Sequence, residues 1–271
     1  MRINQNIMAF NAFRNLTATN DAMGKSLEKL SSGYRINRAS DDAAGLVISQ
    51  GLRAQVSGLK VATRNAQDGI SVTQTAEGAL NEVHSMLNRM RDLAVQAANT
   101  GSTDPNAAAA DQAEIDALSS EITRVSQQTK FGTTTLLDGG FVKEFQIGAN
   151  AGEKITISLG TSLNASALGV SGLGVASGAS ASAAITAIDT AISTVSTTRA
   201  SLGAYQNRFE SVINNLQVAT ENITASESRI RDTDMAAEMV DFTKHQILMQ
   251  AGTAMLGQAN QIPQSVLKLI Q

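Results

Sequence analysis

From Ile185 to Ile230 the chain alternates three- and four-residue steps without a break, through Ile185, Ile188, Ile192, Val195, Arg199, Leu202, Gln206, Phe209, Ile213, Leu216, Thr220, Ile223, Glu227 and Ile230. No proline interrupts the run, and a seam of this length exceeds both a strand and an ordinary globular helix. The spacing predicts a rod, roughly 70 Å long at about 1.5 Å per residue, packed against other rods.

Three further helices precede it. In the first, Phe13, Leu16, Asn20, Met23, Leu27 and Leu30 continue a stripe begun by Ile3, Ile7 and Phe10, and Ser31-Ser32-Gly33 favours a break. The second starts after the cap sequence Ser40-Asp41-Asp42, whose acids suit the positive end of a helix dipole. Its seam runs from Leu52 through Val56, Leu59, Ala66, Ile70, Glu77, Leu80, His84, Leu87 and Arg91 to Ala94. From Ala79 a second stripe joins it, through Val83, Met86, Met90, Leu93 and Ala97. Two stripes on one helix imply two partners, and hence a bundle. Asn99-Thr100-Gly101 ends this helix, and Asp104-Pro105 restarts a third, with Ile115, Leu118, Ile122, Val125 and Thr129 as its inner face.

The middle of the chain changes period. Phe145-Gln146-Ile147 and Ile155 to Leu159 alternate in twos around the turn residues Gly148 to Gly152, which predicts a β-hairpin at about 141–160. Residues 160–182, rich in Ser, Gly, Ala and Thr and without periodicity, read as a flexible surface loop or tip. After the rod, Leu248, Met255, Ile262 and Leu269 recur at seven-residue spacing, flanked by Met249, Leu256 and Ile270. The two terminal segments are each too short to bury such a stripe alone. They are expected to pair with each other and then with copies in neighbouring molecules, the interface comprising Ile3, Ile7, Phe10, Phe13, Leu16, Met23, Leu27, Leu248, Met255, Leu256, Ile262 and Leu269. Met235, Met239 and Met249 are read as adaptable filler of the same interface. The fold class is mostly α: an elongated long-helix bundle or coiled coil carrying one small β-hairpin.

Composition narrows the function. The formal charge is −3 with acids and bases mixed, so no basic block suggests nucleic acid or an acidic membrane surface. Cysteine is absent, which removes disulfides, thiolate ligands and a thiol nucleophile. Tryptophan is absent and aromatics are 3%, poor material for stacking platforms or aromatic pockets. No apolar run is long enough to span a bilayer, and the first residues lack the core and cleavage site of a secretory signal. That points to the cytosol unless another export route operates. His84 and His245 have no ligand-spaced carboxylates, no elbow surrounds a serine, and the glycines form no phosphate cradle. Neither an enzyme, a metal site nor a cofactor is expected.

Specific motifs then stand at both ends. They are Met1-Arg2-Ile3-Asn4-Gln5-Asn6, Ser26-Leu27-Glu28-Lys29-Leu30-Ser31-Ser32-Gly33-Tyr34-Arg35-Ile36-Asn37, Asp41-Asp42-Ala43-Ala44-Gly45, Asn65-Ala66-Gln67-Asp68-Gly69 and Glu77-Gly78-Ala79-Leu80. Later come Leu202-Gly203-Ala204-Tyr205-Gln206-Asn207-Arg208, Glu227-Ser228-Arg229-Ile230-Arg231-Asp232 and Gln258-Ala259-Asn260-Gln261. In order and spacing the chain resembles the bacterial flagellin family over roughly 1–160 and 185–271. Phe131-Gly132 lacks the asparagine that usually follows this phenylalanine, and the short centre implies that the outer variable domains of large flagellins are missing.

The resemblance implies a structural subunit that polymerises with itself into the flagellar filament for motility. Export would be through the flagellar apparatus with a secretion chaperone, which replaces the cytosolic reading with an extracellular one. Hook-associated junction and cap proteins would be further partners. It also implies an inner filament-core domain at 1–40 plus 232–271 and an outer bundle at 41–231. The stretch Asn88 to Gln96 looks like the family's site for the host Toll-like receptor 5, with Arg89, Leu93 and Glu114 contributing, although the same surface is expected to join neighbouring subunits. Segment 160–182 carries glycans in some relatives; a plain soluble tip is the preferred reading. Two alternatives stay open: the hook–filament junction protein, and a cytosolic coiled-coil scaffold.

Overall fold

The computed structural model describes residues 6–99 and 104–270, with the side chains of Pro105 and of 262–270 left aside. Ile3 and the side chains of Ile262 and Leu269 therefore lie outside the described residues. The chain is mostly α. In order it forms α1 (Ile7–Ser32), α2 (Ala43–Ala98), α3 (Pro105–Gln128), β1 (Lys130–Phe131), β2 (Thr134–Thr135), β3 (Phe141–Gln146), β4 (Lys154–Leu159), α4 (Gly178–Arg231) and α5 (Met235–Ile270). No described helix is long and apolar enough to cross a membrane.

The helix ends follow local chemistry. The Asn6 side chain accepts the Ala9 N–H at 3.1 Å and opens α1. Gly33, at φ 75°, closes it by donating its N–H to the Lys29 carbonyl, a left-handed turn that glycine adopts without steric cost. Asp42 accepts the Gly45 N–H at 2.9 Å ahead of α2. Asp104 caps α3 just before Pro105, and Asp234 accepts from Ala236 and Ala237 at the start of α5.

Packing divides the chain into two units, Met1–Gln55 with Glu221–Gln271, and Val56–Thr220. In the second unit, both stripes of α2 are used. The first faces α4: Glu77 lies 3.7 Å from Arg199, and Arg91 pairs with Asp189 at 2.7 Å. Beside the second stripe, Arg89 bonds Glu114 of α3. Leu80, Leu87, Met90, Ile115, Ile122, Val195 and Leu202 fill one core between them. The α4 seam is buried at Ile188, Val195, Leu202, Phe209 and Leu216, with its polar positions set where partners reach them.

Strand β3 pairs antiparallel with β4, from Phe141 opposite Leu159 to Gln146 opposite Lys154. The alternation of β4 buries Ile155, Ile157 and Leu159 on the bundle. A second, two-residue ladder joins β1 and β2 around Gly132 at φ 60°; two residues per strand are too few to show a period.

Segment 160–182 corrects the expectation of a surface tip. Leu163, Ala165, Leu168, Val170 and Val175 are buried in the common core, and α4 already begins at Gly178. The Gln112 side chain holds the segment on α3, donating to the Leu173 carbonyl and accepting the Val175 N–H. Apolar residues at irregular spacing, separated by turn glycines, bury themselves without giving a periodic signal.

Candidate assembly surface

Within the unit formed by the two ends, α1 and α5 pack antiparallel. Asn6 Nδ2 donates to the Ala259 carbonyl at 2.8 Å, Leu16 sits on Gly252, and Lys29 Nζ lies 3.6 Å from Glu238. The pairing partly covers Leu16 and Met23 on α1, and Phe242, Met249 and Leu256 on α5. It leaves much else in water. Ile7, Met8, Phe10, Phe13 and Leu27 are exposed on α1, Phe10 to 71%. On α5, Met235, Met239, Val240, Ile247, Leu248 and Met255 are exposed, Met255 to 65%.

Of the twelve residues expected at the interface, the nine whose side chains are described separate into two groups. Leu16, Met23 and Leu256 serve the helix pair, whereas Ile7, Phe10, Phe13, Leu27, Leu248 and Met255 face outward. Leu248 and Met255 therefore point away from α1, and the flanking Met249 and Leu256 make the intramolecular contact. Met8, Val240 and Ile247 do not follow from spacing alone, and only Ile247 carries a signal: it lies in the stretch from His245 to Leu267, which holds no Asp, Glu, Lys or Arg. A groove of about 880 Å³ also opens beside Met23, Leu27, Phe242 and Met249, rimmed by Glu28 and Arg38.

The residues expected at a receptor surface occupy two different environments. Arg89 Nε and Nη2 donate to the two Glu114 oxygens at 2.7 and 3.1 Å, on an exposed face. This bond holds the Glu114 carboxyl below its ordinary value. Leu93, in contrast, is 2% exposed and belongs to the core. Its place in the second α2 stripe explains this burial. No cluster of three potential metal ligands occurs among the described residues.

Two family models match the chain: the bacterial flagellin N-terminal helical region over residues 3–141, and the C-terminal helical region over residues 185–270. The flagellin of Halalkalibacterium halodurans is 50% identical and that of Bacillus subtilis 48% identical, each alignment covering 100% of both chains. A Treponema phagedenis protein described as a flagellar filament 33 kDa core protein is 45% identical over the same full span. Among solved structures, the crystal structure of Bacillus cereus flagellin aligns at a TM-score of 0.51 and 30% identity, covering 56% of this chain and 88% of that one. With both terminal regions matched and full-length relatives near half identity, the chain belongs to the bacterial flagellin family.

Proposed function

We infer that the chain is a structural subunit of the bacterial flagellar filament, polymerising with copies of itself outside the cell. The observation that carries this is the exposed apolar surface of α1 and α5 in a chain whose relatives are named as filament proteins. Covering one exposed Leu, Ile, Met or Phe stabilises by about 1.5–3 kcal/mol. A contact between unlike faces that does not close into a ring propagates as a helix.

In this reading the terminal segments, 1–40 and 232–271, build the filament core, and 41–231 forms the surrounding bundle. Ile7, Phe10, Phe13, Leu27, Leu248 and Met255 make contacts between subunits, and Ile3, Ile262 and Leu269 extend the same surface. Leu16, Met23 and Leu256 shape it from within the helix pair. The subunit leaves the cell through the flagellar export apparatus, accompanied by a chaperone that covers the terminal stripe, and meets the junction and cap proteins at the filament ends. The role is structural and not catalytic. A secondary role as a ligand of Toll-like receptor 5 draws support from the exposed Arg89–Glu114 pair, with Leu93 supporting that face from beneath.

The test is seeded polymerisation of the purified protein, followed by sedimentation and electron microscopy. Wild type should elongate fragments of filament into long polymers. Met255→Asp should remain soluble with unchanged helicity. Filaments of ordinary length from that variant would contradict the reading.

A further inference from the structure

The inner seam of α3 runs through Asp111, Ile115, Ser119, Ile122 and Ser126, all of them buried. Ser126 finds a partner there, donating to the Leu137 carbonyl at 2.9 Å. Asp111 does not. The residue is 7% exposed, and its buried Oδ2 has no hydrogen-bond partner. A carboxylate taken out of water without a donor is costly, and native chains keep so few that each needs a cause. Glu114 follows three residues later on the same helix, which sets the two Cβ atoms about 5–6 Å apart. Glu114 already holds Arg89, through bonds to Nε and Nη2 of 2.7 and 3.1 Å that leave Nη1 aside. The charge of Asp111 is felt at the same guanidinium. Arg89 is raised above its ordinary value first by the bond to Glu114, then by the Glu114 charge, and further by the charges of Asp92 and Asp111. One cation thus stands among three acids, and one of the three is buried and unpaired.

We propose that Asp111 is a second acceptor for Arg89: when a basic side chain of a neighbouring copy takes Glu114, the guanidinium moves one turn along α3 and inward, onto the buried Oδ2. The proposal rests on the filament-subunit reading, in which this face meets a second copy. An ion pair is hard to exchange as an interface closes, because taking one partner strands the other charge while water is being excluded. A reserve carboxylate beneath the surface removes that obstacle. Arginine suits the task, since it keeps its charge and its planar fork offers paired donors to either acid. The chain also supplies the incoming base. Lys60, Arg64 and Arg208 of the same unit are exposed and form no ion pair among the described residues, so a second copy brings cations to which Glu114 is complementary. Asp111 is a positioning residue in this account.

The full chain serves both arms of the test. Urea unfolding of Arg89→Ala, Asp111→Asn and the double variant gives the coupling between the two residues, first with Glu114 present and then in Glu114→Ala. The coupling should be small while Glu114 holds the guanidinium. Without Glu114 it should reach about a tenfold change in the unfolding constant, the size of a charged hydrogen bond. Asp111→Asn alone should unfold no more readily than wild type, because a neutral amide replaces a buried charge. Added to wild-type filament seeds, that same variant should nevertheless elongate several-fold more slowly. Equal coupling in both backgrounds would overturn the second-acceptor role. Markedly easier unfolding of Asp111→Asn would overturn it too, by making Asp111 a support of the fold. Elongation of Asp111→Asn at the wild-type rate would overturn its use between copies. Failure of wild type to elongate on seeds would instead overturn the filament reading, while the unfolding cycles would still report whether Arg89 reaches Asp111.

Discussion

Phe209 is fully buried on α4, its ring meeting Phe145 of the hairpin edge-on at 5.8 Å. On the α2 side its neighbour is Gly69, where an added Cβ would lie 2.6 Å from Phe209 Cζ. Three elements therefore meet at one ring, and a missing side chain makes the room. Gly69→Ala should destabilise the protein by about 1–3 kcal/mol through overpacking, although alanine is the better helix former by about 0.8–1.0 kcal/mol. Gly78, on the same helix, has nothing within 4 Å of its built Cβ. Gly78→Ala should accordingly gain up to about 1 kcal/mol. Urea unfolding of the two variants checks the contrast, and equal effects would mean that the ring does not need the space.

Acid tests another residue contact. Glu114 is held below the ordinary 4.5 chiefly by its hydrogen bond to Arg89, with desolvation opposing. A lowered folded value means that the stabilisation is complete above 4.5 and fades as pH falls through the folded pKa. The pair is exposed, so its weight in stability is small, and the carboxyl itself is the better reporter. Side-chain NMR should show Glu114 titrating below 4.5 in wild type and returning toward it in Arg89→Ala. The Glu77 position on the seam was legible in the sequence; its two partners, Arg199 and Gln206, were not. A seam lists the residues that face a neighbour without saying which atoms on that neighbour they reach.

At the scale of elements, caps and periodicity located the helices and the β3–β4 hairpin, since both depend on neighbours in sequence. The stop at Ser31-Ser32-Gly33, the Asp104-Pro105 start and the turn after Gln146 all stand where local chemistry puts them. Segment 160–182 departs from the expected surface tip because its order comes from distant contacts: Leu163, Val170 and Val175 reach the core, and Gln112 bonds the backbone at Leu173 and Val175. Gln112→Ala removes both bonds, each worth about 0.5–1.5 kcal/mol net and more where a buried group is left unpaired. Limited proteolysis should then cut within 169–177 sooner than in wild type, with the helices intact. Unchanged resistance would show that apolar burial alone orders the segment.

For the whole molecule, the sequence made the terminal stripes visible but not their division of labour. A seven-residue spacing says that Leu248 and Met255 share a face; only the position of α1 decides that this face is the outer one. The same physics explains why the assembly surface was partly legible: a stripe unsuited to water is a local property, whereas its partner is another molecule. The central claim is that both ends of the chain are completed by neighbouring copies. Hydrogen exchange compared between monomer and filament tests it most directly. The amides of α1 and α5 should gain strong protection on polymerisation, while those of the 56–220 core change little. Equal protection of both terminal helices in monomer and filament would contradict it.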